Sequence, residues 1–179
     1  DRDYITQWSY GIDETWTLLV LNTKGGASVP LAENKDAMKK ADPNYVSIYQ
    51  QLGQYWGNQP MTAGPVYVGA FVLMLFVLGL FIVKGPLKWG LLVATILSVL
   101  LSWGRNFMPF TDFFIDYVPM YAKFRTVASI LVVAEFTIPL LAMLALKEVV
   151  TGQIDVKGKR FRYSLIASFL LTGGGSPDP

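Results

Sequence analysis

TVASILVVAEFTIPLLAMLAL, residues Thr126 to Leu146, decides the fold. Its one charged side chain is Glu135. A helix needs roughly 20 apolar residues to cross the hydrocarbon core of a bilayer, and this run has the length. Two more apolar runs precede it. Val66 to Val83 carries no charge, and neither does Trp89 to Trp103. A fourth, Tyr163 to Thr172, is cut short by Gly173-Gly174-Gly175-Ser176-Pro177-Asp178-Pro179. The expectation is an all-α chain: part of a polytopic transmembrane helix bundle, with an outer-face polar segment and an interfacial helical loop. The spans are expected at about 66–83, 88–103, 124–146 and, truncated, 163–172. Residues 173–179 read as a tail or truncation, and the whole as a piece of a larger multi-span protein.

Composition agrees with a membrane protein. Of 179 residues, 53% are hydrophobic and 16% charged, where a soluble domain carries about a quarter charged residues. The net charge of +2 is too small to point to nucleic acid. There is no Cys and no His. Disulfides, thiolate metal sites and the usual neutral-pH acid/base are therefore excluded, so any chemistry must use Asp, Glu, Lys, Arg or Tyr.

Orientation follows from Lys and Arg in short loops. The turn 84–88 holds two Lys and no acid. Loop 147–162 holds five basic residues (Lys147, Lys157, Lys159, Arg160, Arg162) against two acids. Both belong on the cytoplasmic side of an alternating topology. Residues 1–65 and loop 104–123 then lie outside, and the seven acids against five bases in 1–65 agree. Within 1–65, short helices are expected at Ile12 to Leu21, Asp36 to Lys40 and Tyr45 to Leu52. Gly90, Ala94, Ser98 and Ser102 recur every four residues on the second span, a small-residue stripe that lets helix backbones approach.

The polar residues near the membrane are the candidates for function. The outer loop, Gly104 to Lys123, is too apolar for a free loop and too polar for a span, so it reads as a short helix at the interface. Asp112 and Asp116, four apart, fall on one helix face. They could act as a general base or hold a divalent cation such as Mg²⁺, or simply cap and pair. Arg105, Lys123 and Arg125 bracket the segment. Guanidinium geometry suits an anionic lipid phosphate; alternatively these cations pair with Asp112 and Asp116. Glu135 is costly in mid-span. Pro139, four residues on, frees its backbone carbonyl and should kink the helix. The carboxylate could line a cavity or make an interhelical hydrogen bond. Lys24 to Ser28 could form an amide nest for an anion or end a helix. Trp56, Asn58 and Gln59 have the chemistry to stack on and bond a sugar, though interfacial anchoring also suits Trp56.

The chain resembles the YfhO-like family of bacterial multi-span membrane proteins. The resemblance rests on Ser9-Tyr10-Gly11 through Lys24-Gly25-Gly26-Ala27-Ser28, on Tyr55-Trp56-Gly57-Asn58-Gln59-Pro60 and on Gly64-Pro65-Val66-Tyr67-Val68-Gly69. It continues in Leu101-Ser102-Trp103-Gly104-Arg105-Asn106-Phe107 and in Phe113-Phe114-Ile115-Asp116-Tyr117-Val118-Pro119 with Lys123-Phe124-Arg125. It implies a glycosyltransferase C-type fold in the bacterial cytoplasmic membrane. It also implies transfer of a sugar from a polyprenyl-phosphate donor to a cell-envelope acceptor on the outer face. The residues shown would be a middle portion, with the catalytic carboxylate elsewhere. The donor phosphate would fall to Arg105 and Arg125, with Lys123 behind them. The partners expected are the bilayer, the lipid-linked sugar and the remaining transmembrane helices, with no cofactor evident. The alternatives are a transporter or flippase of lipid-linked sugar, using Glu135, and a non-catalytic envelope-assembly protein.

Overall fold

A computed structural model describes residues 2–57, 59, 66–119, 121–123, 126–152 and 154–173, with backbone alone at 27, 28 and 122. The chain opens with a short helix, α1 (Arg2–Ile5), and a 3-10 helix at Asp13–Leu18. This 3-10 helix stands where a longer helix is expected from Ile12 to Leu21. The reason is local. The Glu14 carboxylate turns back to accept from the Gly11 amide at 2.5 Å, and the Thr17 hydroxyl donates to the Glu14 carbonyl at 2.6 Å. Such side-chain bonds compete with α-helical pairing.

Asn22 and Gly25 adopt positive φ, 63° and 82°, and the chain reverses into β1 (Gly25–Pro30). The Gly25 amide donates to the Asn22 carbonyl at 3.0 Å, so it is committed to a turn and not to an anion nest. β1 pairs antiparallel with β2 (Gly53–Tyr55), Gly25 opposite Tyr55 and Pro30 opposite Gly53, with an irregularity between. The connection carries α2 (Lys35–Lys39), capped by the Asn34 side chain on the Asp36 and Ala37 amides, and α3 (Val46–Tyr49).

The rest is helical: α4 (Ala70–Ile82), α5 (Leu87–Ser102), α6 (Met108–Tyr117), α7 (Leu131–Val150, entered through a 3-10 turn at Val127–Ile130) and α8 (Lys159–Gly173). Among the described residues one helix, Val127–Val150, is long and apolar enough to cross a membrane. Its 24 residues rise about 36 Å. α4 has 13 residues and spans about 20 Å. It starts four residues later than the apolar run because 66–69 is drawn aside: the Val68 and Gly69 amides bond the Leu18 carbonyl at 3.3 and 3.2 Å. α5 would pass the same test only as a broken span with the following helical stretch, across a 106° bend. α7 runs on through Lys147 to Val150, past the end expected at Leu146. α8 begins at Lys159 rather than Tyr163, so three basic residues of the expected loop 147–162 lie in its first turns.

α7 is the centre, with α4 and α5 against it and α8 against α4. Its buried face is Leu131, Ala134, Thr137, Ile138, Leu141, Ala142 and Ala145. Gly79 of α4 meets Leu141, where an added Cβ would lie 2.9 Å from Cγ and 3.0 Å from the carbonyl oxygen. Between α5 and α7, the Thr95 and Thr137 hydroxyls bond at 2.7 Å, and Ser98 donates to the Ile130 carbonyl at 2.7 Å. The small-residue stripe on α5 packs only along its C-terminal half. Ser98 and Ser102 are buried, but Gly90 is exposed, and a Cβ added there would meet nothing within 4 Å. The buried positions are Leu91, Thr95, Ser98, Leu101 and Ser102, the 3.6-residue period of a helix rather than a strict four. Large apolar side chains face outward: Val132, Phe136 and Met143 on α7, Phe71 on α4, Val93 and Ile96 on α5, and Phe169 to Leu171 on α8.

Candidate functional site

The elbow between α5 and α6 carries Arg105 and leads into the helix that holds Asp112 and Asp116. Gly104, at φ +46°, makes the bend possible. A Cβ there would overlap Ser9 Oγ and press on Val127. The segment from Thr6 to Thr15 lies across the elbow. The Tyr10 amide bonds the Ser102 carbonyl at 2.8 Å, and the Asn106 side-chain amide bonds the Tyr10 carbonyl at 2.8 Å. Trp103 Nε1 donates to Thr15 Oγ1 at 2.9 Å. The Ala128 amide reaches the Trp8 carbonyl at 3.1 Å, tying the same segment to the entry of α7.

Arg105 is fixed at its base and free at its tip. Its backbone amide donates to Ser9 Oγ at 2.9 Å and its Nε to the Thr6 carbonyl at 3.1 Å, while the side chain is exposed. Asp112 and Asp116 share a face of α6, as their spacing requires. Their partner is Arg2, more than a hundred residues away in sequence. Arg2 Nη1 bonds Asp112, and Nη2 bonds the two Asp116 oxygens at 2.9 and 3.2 Å. Among the described residues neither Arg105 nor Lys123 makes an ion pair. One guanidinium bridges both carboxylates, bonding one Asp112 oxygen and both Asp116 oxygens. No group of three or more His, Cys, Asp or Glu gathers among the described residues. Lys123 is exposed. Arg125 lies outside the described residues.

A second polar cluster, to which no sequence pattern above points, sits beside this elbow. Glu14 is fully buried. Its carboxylate takes the Gly11 amide and the Tyr55 hydroxyl, and Gly57 packs so closely that a Cβ would overlap both Glu14 and Tyr55. Tyr10, also fully buried, bonds Thr17 through its hydroxyl. Thr17 in turn reaches the Val66 carbonyl at 3.0 Å. Burial, then the hydrogen bond to Glu14, push the Tyr55 hydroxyl well above the ordinary tyrosine range. Burial also raises Tyr10, and the nearby Glu14 and Glu135 carboxylates add to the rise. Glu14 looks in sequence like an acid at a helix N-terminus. The available signal is its spacing, four residues after Tyr10 and three before Thr17, which gathers three polar side chains within a short stretch of chain.

Trp56 is exposed, with its amide on the Lys24 carbonyl at 2.8 Å. The Gln59 amide donates to the Tyr55 hydroxyl at 3.4 Å, which ties the Trp56–Gln59 segment to the Glu14 cluster. Asn58 lies outside the described residues. Glu135 is exposed on α7 between Val132 and Phe136; among the described residues no hydrogen bond joins it to another helix. The helix continues through Pro139.

Comparison with family models, with curated proteins and with solved structures yields no match.

Proposed function

We propose that these residues belong to a multi-span protein of the bacterial cytoplasmic membrane that transfers a sugar from a polyprenyl-phosphate donor to an envelope acceptor on the outer face. Support for the membrane comes from the distribution of side-chain sizes. Small and hydroxyl side chains (Gly79, Thr95, Ser98, Ala134, Thr137) share the contacts between α4, α5 and α7 with Leu and Ile, and further large apolar side chains face out on every one of these helices, as in bundles whose surroundings are lipid and neighbouring helices. Additional helices of the same protein would cover part of these faces.

The observation that carries the transferase reading is Arg105. Because Arg2 takes both Asp112 and Asp116, the exposed guanidinium of Arg105 keeps its charge available at the elbow. A cation held at its base and open at its tip is suited to a phosphodiester. In the transfer it would stabilise the negative charge that builds on the departing polyprenyl phosphate. Lys123 and Arg125 would extend the same field, and Trp56 and Gln59, with Asn58, would face the sugar or acceptor. The acceptor's proton would go to a carboxylate elsewhere in the protein, since Glu14 is buried and Asp112 and Asp116 are paired.

The test uses the full-length protein in detergent with polyprenyl-phosphate sugars, following release of free polyprenyl phosphate. Arg105→Ala should lower turnover about a hundredfold, measured on folded protein, because the lost bond to the Thr6 carbonyl also costs about 1 kcal/mol of stability. Turnover indifferent to Arg105 would sink this reading. A second reading draws on Glu135, a carboxylate exposed on the helix that is long and apolar enough to cross a membrane. Lipid movement coupled to protons and abolished by Glu135→Gln, without turnover of any donor, would place the protein among transporters.

A further inference from the structure

The opposite end of the bundle holds a hollow of about 500 Å³, bounded by the end of α4, the α4–α5 turn and the start of α8. Connectivity fixes its place. α5 leaves this end at Leu87 and reaches the elbow at Ser102, so the hollow and Arg105 lie at opposite ends of one helix. Four cations line it: Lys84, Lys88, Lys159 and Arg160. One carboxylate, Asp155, lies among them, and it is engaged locally. It accepts from the Lys157 amide at 3.0 Å, and its backbone carbonyl takes the Gly158 amide at 3.0 Å. Among the described residues none of the four cations makes an ion pair.

Lys88 is held in place. Its ammonium donates to the Leu80 carbonyl at 2.7 Å and sits 5.3 Å from the Trp89 ring centre. The other wall is apolar, with Phe81 and Phe161, and continues onto the outward apolar face of α4. A hollow that is cationic on one side and apolar on the other matches an amphiphile with an anionic head. Four cations against the single carboxylate of Asp155 leave an excess of positive charge, unfavourable unless an anion or water compensates it.

We propose that this hollow binds the phosphate head group of an anionic membrane lipid, with the acyl chains running along the apolar wall. The inference rests on the membrane reading above and is independent of the sugar-transfer reading. Basic pockets between helices at the cytoplasmic surface have the electrostatics for this role.

The test places the full-length protein in nanodiscs of phosphatidylcholine containing a minor share of phosphatidylglycerol. Retained lipid is counted by native mass spectrometry. Alkaline extraction of native membranes comes first: release of the protein would refute its membrane insertion, and with it both readings. For inserted protein, wild type should retain phosphatidylglycerol over phosphatidylcholine. Lys84→Gln, Lys159→Gln and Arg160→Gln, all at exposed positions, should each weaken the preference roughly fivefold. Lys147→Gln, at the same end but outside the hollow, should leave it unchanged. Equal loss with Lys147→Gln would show diffuse surface charge and overturn the site. Displacement of the lipid by inorganic phosphate at matched concentration would make it a free-phosphate site and overturn the lipid assignment, and absence of any preference would dismiss it.

Discussion

At the elbow end, residues 102–106 lie beneath the segment Thr6–Thr15, and the polar groups there are joined to partners from distant parts of the chain. At the opposite end, the α4–α5 turn and the start of α8 present Lys84, Lys88, Lys159 and Arg160 around an open hollow, with Asp155 bonded to its own turn. The contrast lies in the range of the contacts. The elbow is assembled by pairings some hundred residues apart, such as Arg2 with Asp112 and Asp116 or Ser9 with Arg105. The hollow is closed by α8 packing on α4, but among the described residues its cations make no ion pair with a distant segment. Charge at the elbow is therefore redistributed by folding, whereas charge at the hollow stays where the sequence puts it.

The strongest way to break this contrast is at Gly104. Its positive φ and the missing space for a Cβ mean that Gly104→Val must push Ser9 and Val127 apart and strain the backbone. The expected cost is about 3 kcal/mol or more, read as a large fall in thermal unfolding temperature. Limited proteolysis should then cut the segment before Thr15, while lipid retention at the hollow survives. A variant that loses both ends together would show that the bundle is one cooperative unit. Gly90→Val is the matched control. Nothing lies within 4 Å of a Cβ at Gly90, and the change should be nearly neutral.

Next in size is Glu14→Ala. It leaves the Gly11 amide and the Tyr55 hydroxyl without this acceptor in a buried site, a loss of about 3 kcal/mol. Glu14→Gln keeps an acceptor oxygen and should recover part of it. The calorimetric difference between the two variants measures how much of the cluster's stability is hydrogen bonding. If Glu14→Ala is no worse than Glu14→Gln, the carboxylate is not the anchor of the outer cluster.

These two sites also show why the sequence is legible in one respect and opaque in another. The helix through Val127–Val150 can be read directly, because a long apolar run has few other low-energy conformations near a bilayer. Its late end is also intelligible: Lys147 and Glu148 are good helix formers and do not stop a helix. Gly69 is harder. Nothing in an apolar run announces that 66–69 will be drawn out by the Leu18 carbonyl, eliminating four residues of helix. The partner of Asp112 and Asp116 is illegible. Helical spacing puts the two on one face, and proximity in sequence favours Arg105 and Lys123, whereas tertiary docking brings Arg2. Glu14 illustrates the same limit: an acid near a helix start has an ordinary local explanation, and its burial depends on Tyr55 and Gly57 arriving from more than forty residues away.

Tyr55→Phe sharpens the comparison by pH. The Tyr55 hydroxyl is raised above its ordinary value by burial and by Glu14. The neutral form is thus favoured in the folded state. Its contribution is fully present below the unfolded tyrosine value of about 10 and is lost as pH rises through the folded value. Wild type should therefore lose stability more steeply above about pH 10 than Tyr55→Phe, which should be weaker by about 1 kcal/mol at neutral pH. Parallel alkaline curves for the two proteins would remove Tyr55 from the account.

The smallest effect belongs to the pair of Asp13 with Lys24, which clips the 3-10 helix to the start of β1. The hydrogen bond from Lys24 holds the Asp13 carboxyl below its ordinary value. Its stabilisation is present above the unfolded aspartate value of about 3.9 and disappears as pH falls through the lower folded value. Asp13 is largely exposed, with 60% of its side chain accessible, so solvent screens the pair and Lys24→Met should cost less than about 1 kcal/mol. Added salt should erase even that difference. The Glu14 cluster one residue along should respond less to salt, because its carboxylate is fully buried and buried groups are screened much less. Parallel salt titrations of Lys24→Met and Glu14→Gln test whether adjacent acids on the same turn hold the outer segment by different physics: if both variants respond alike, burial does not separate them.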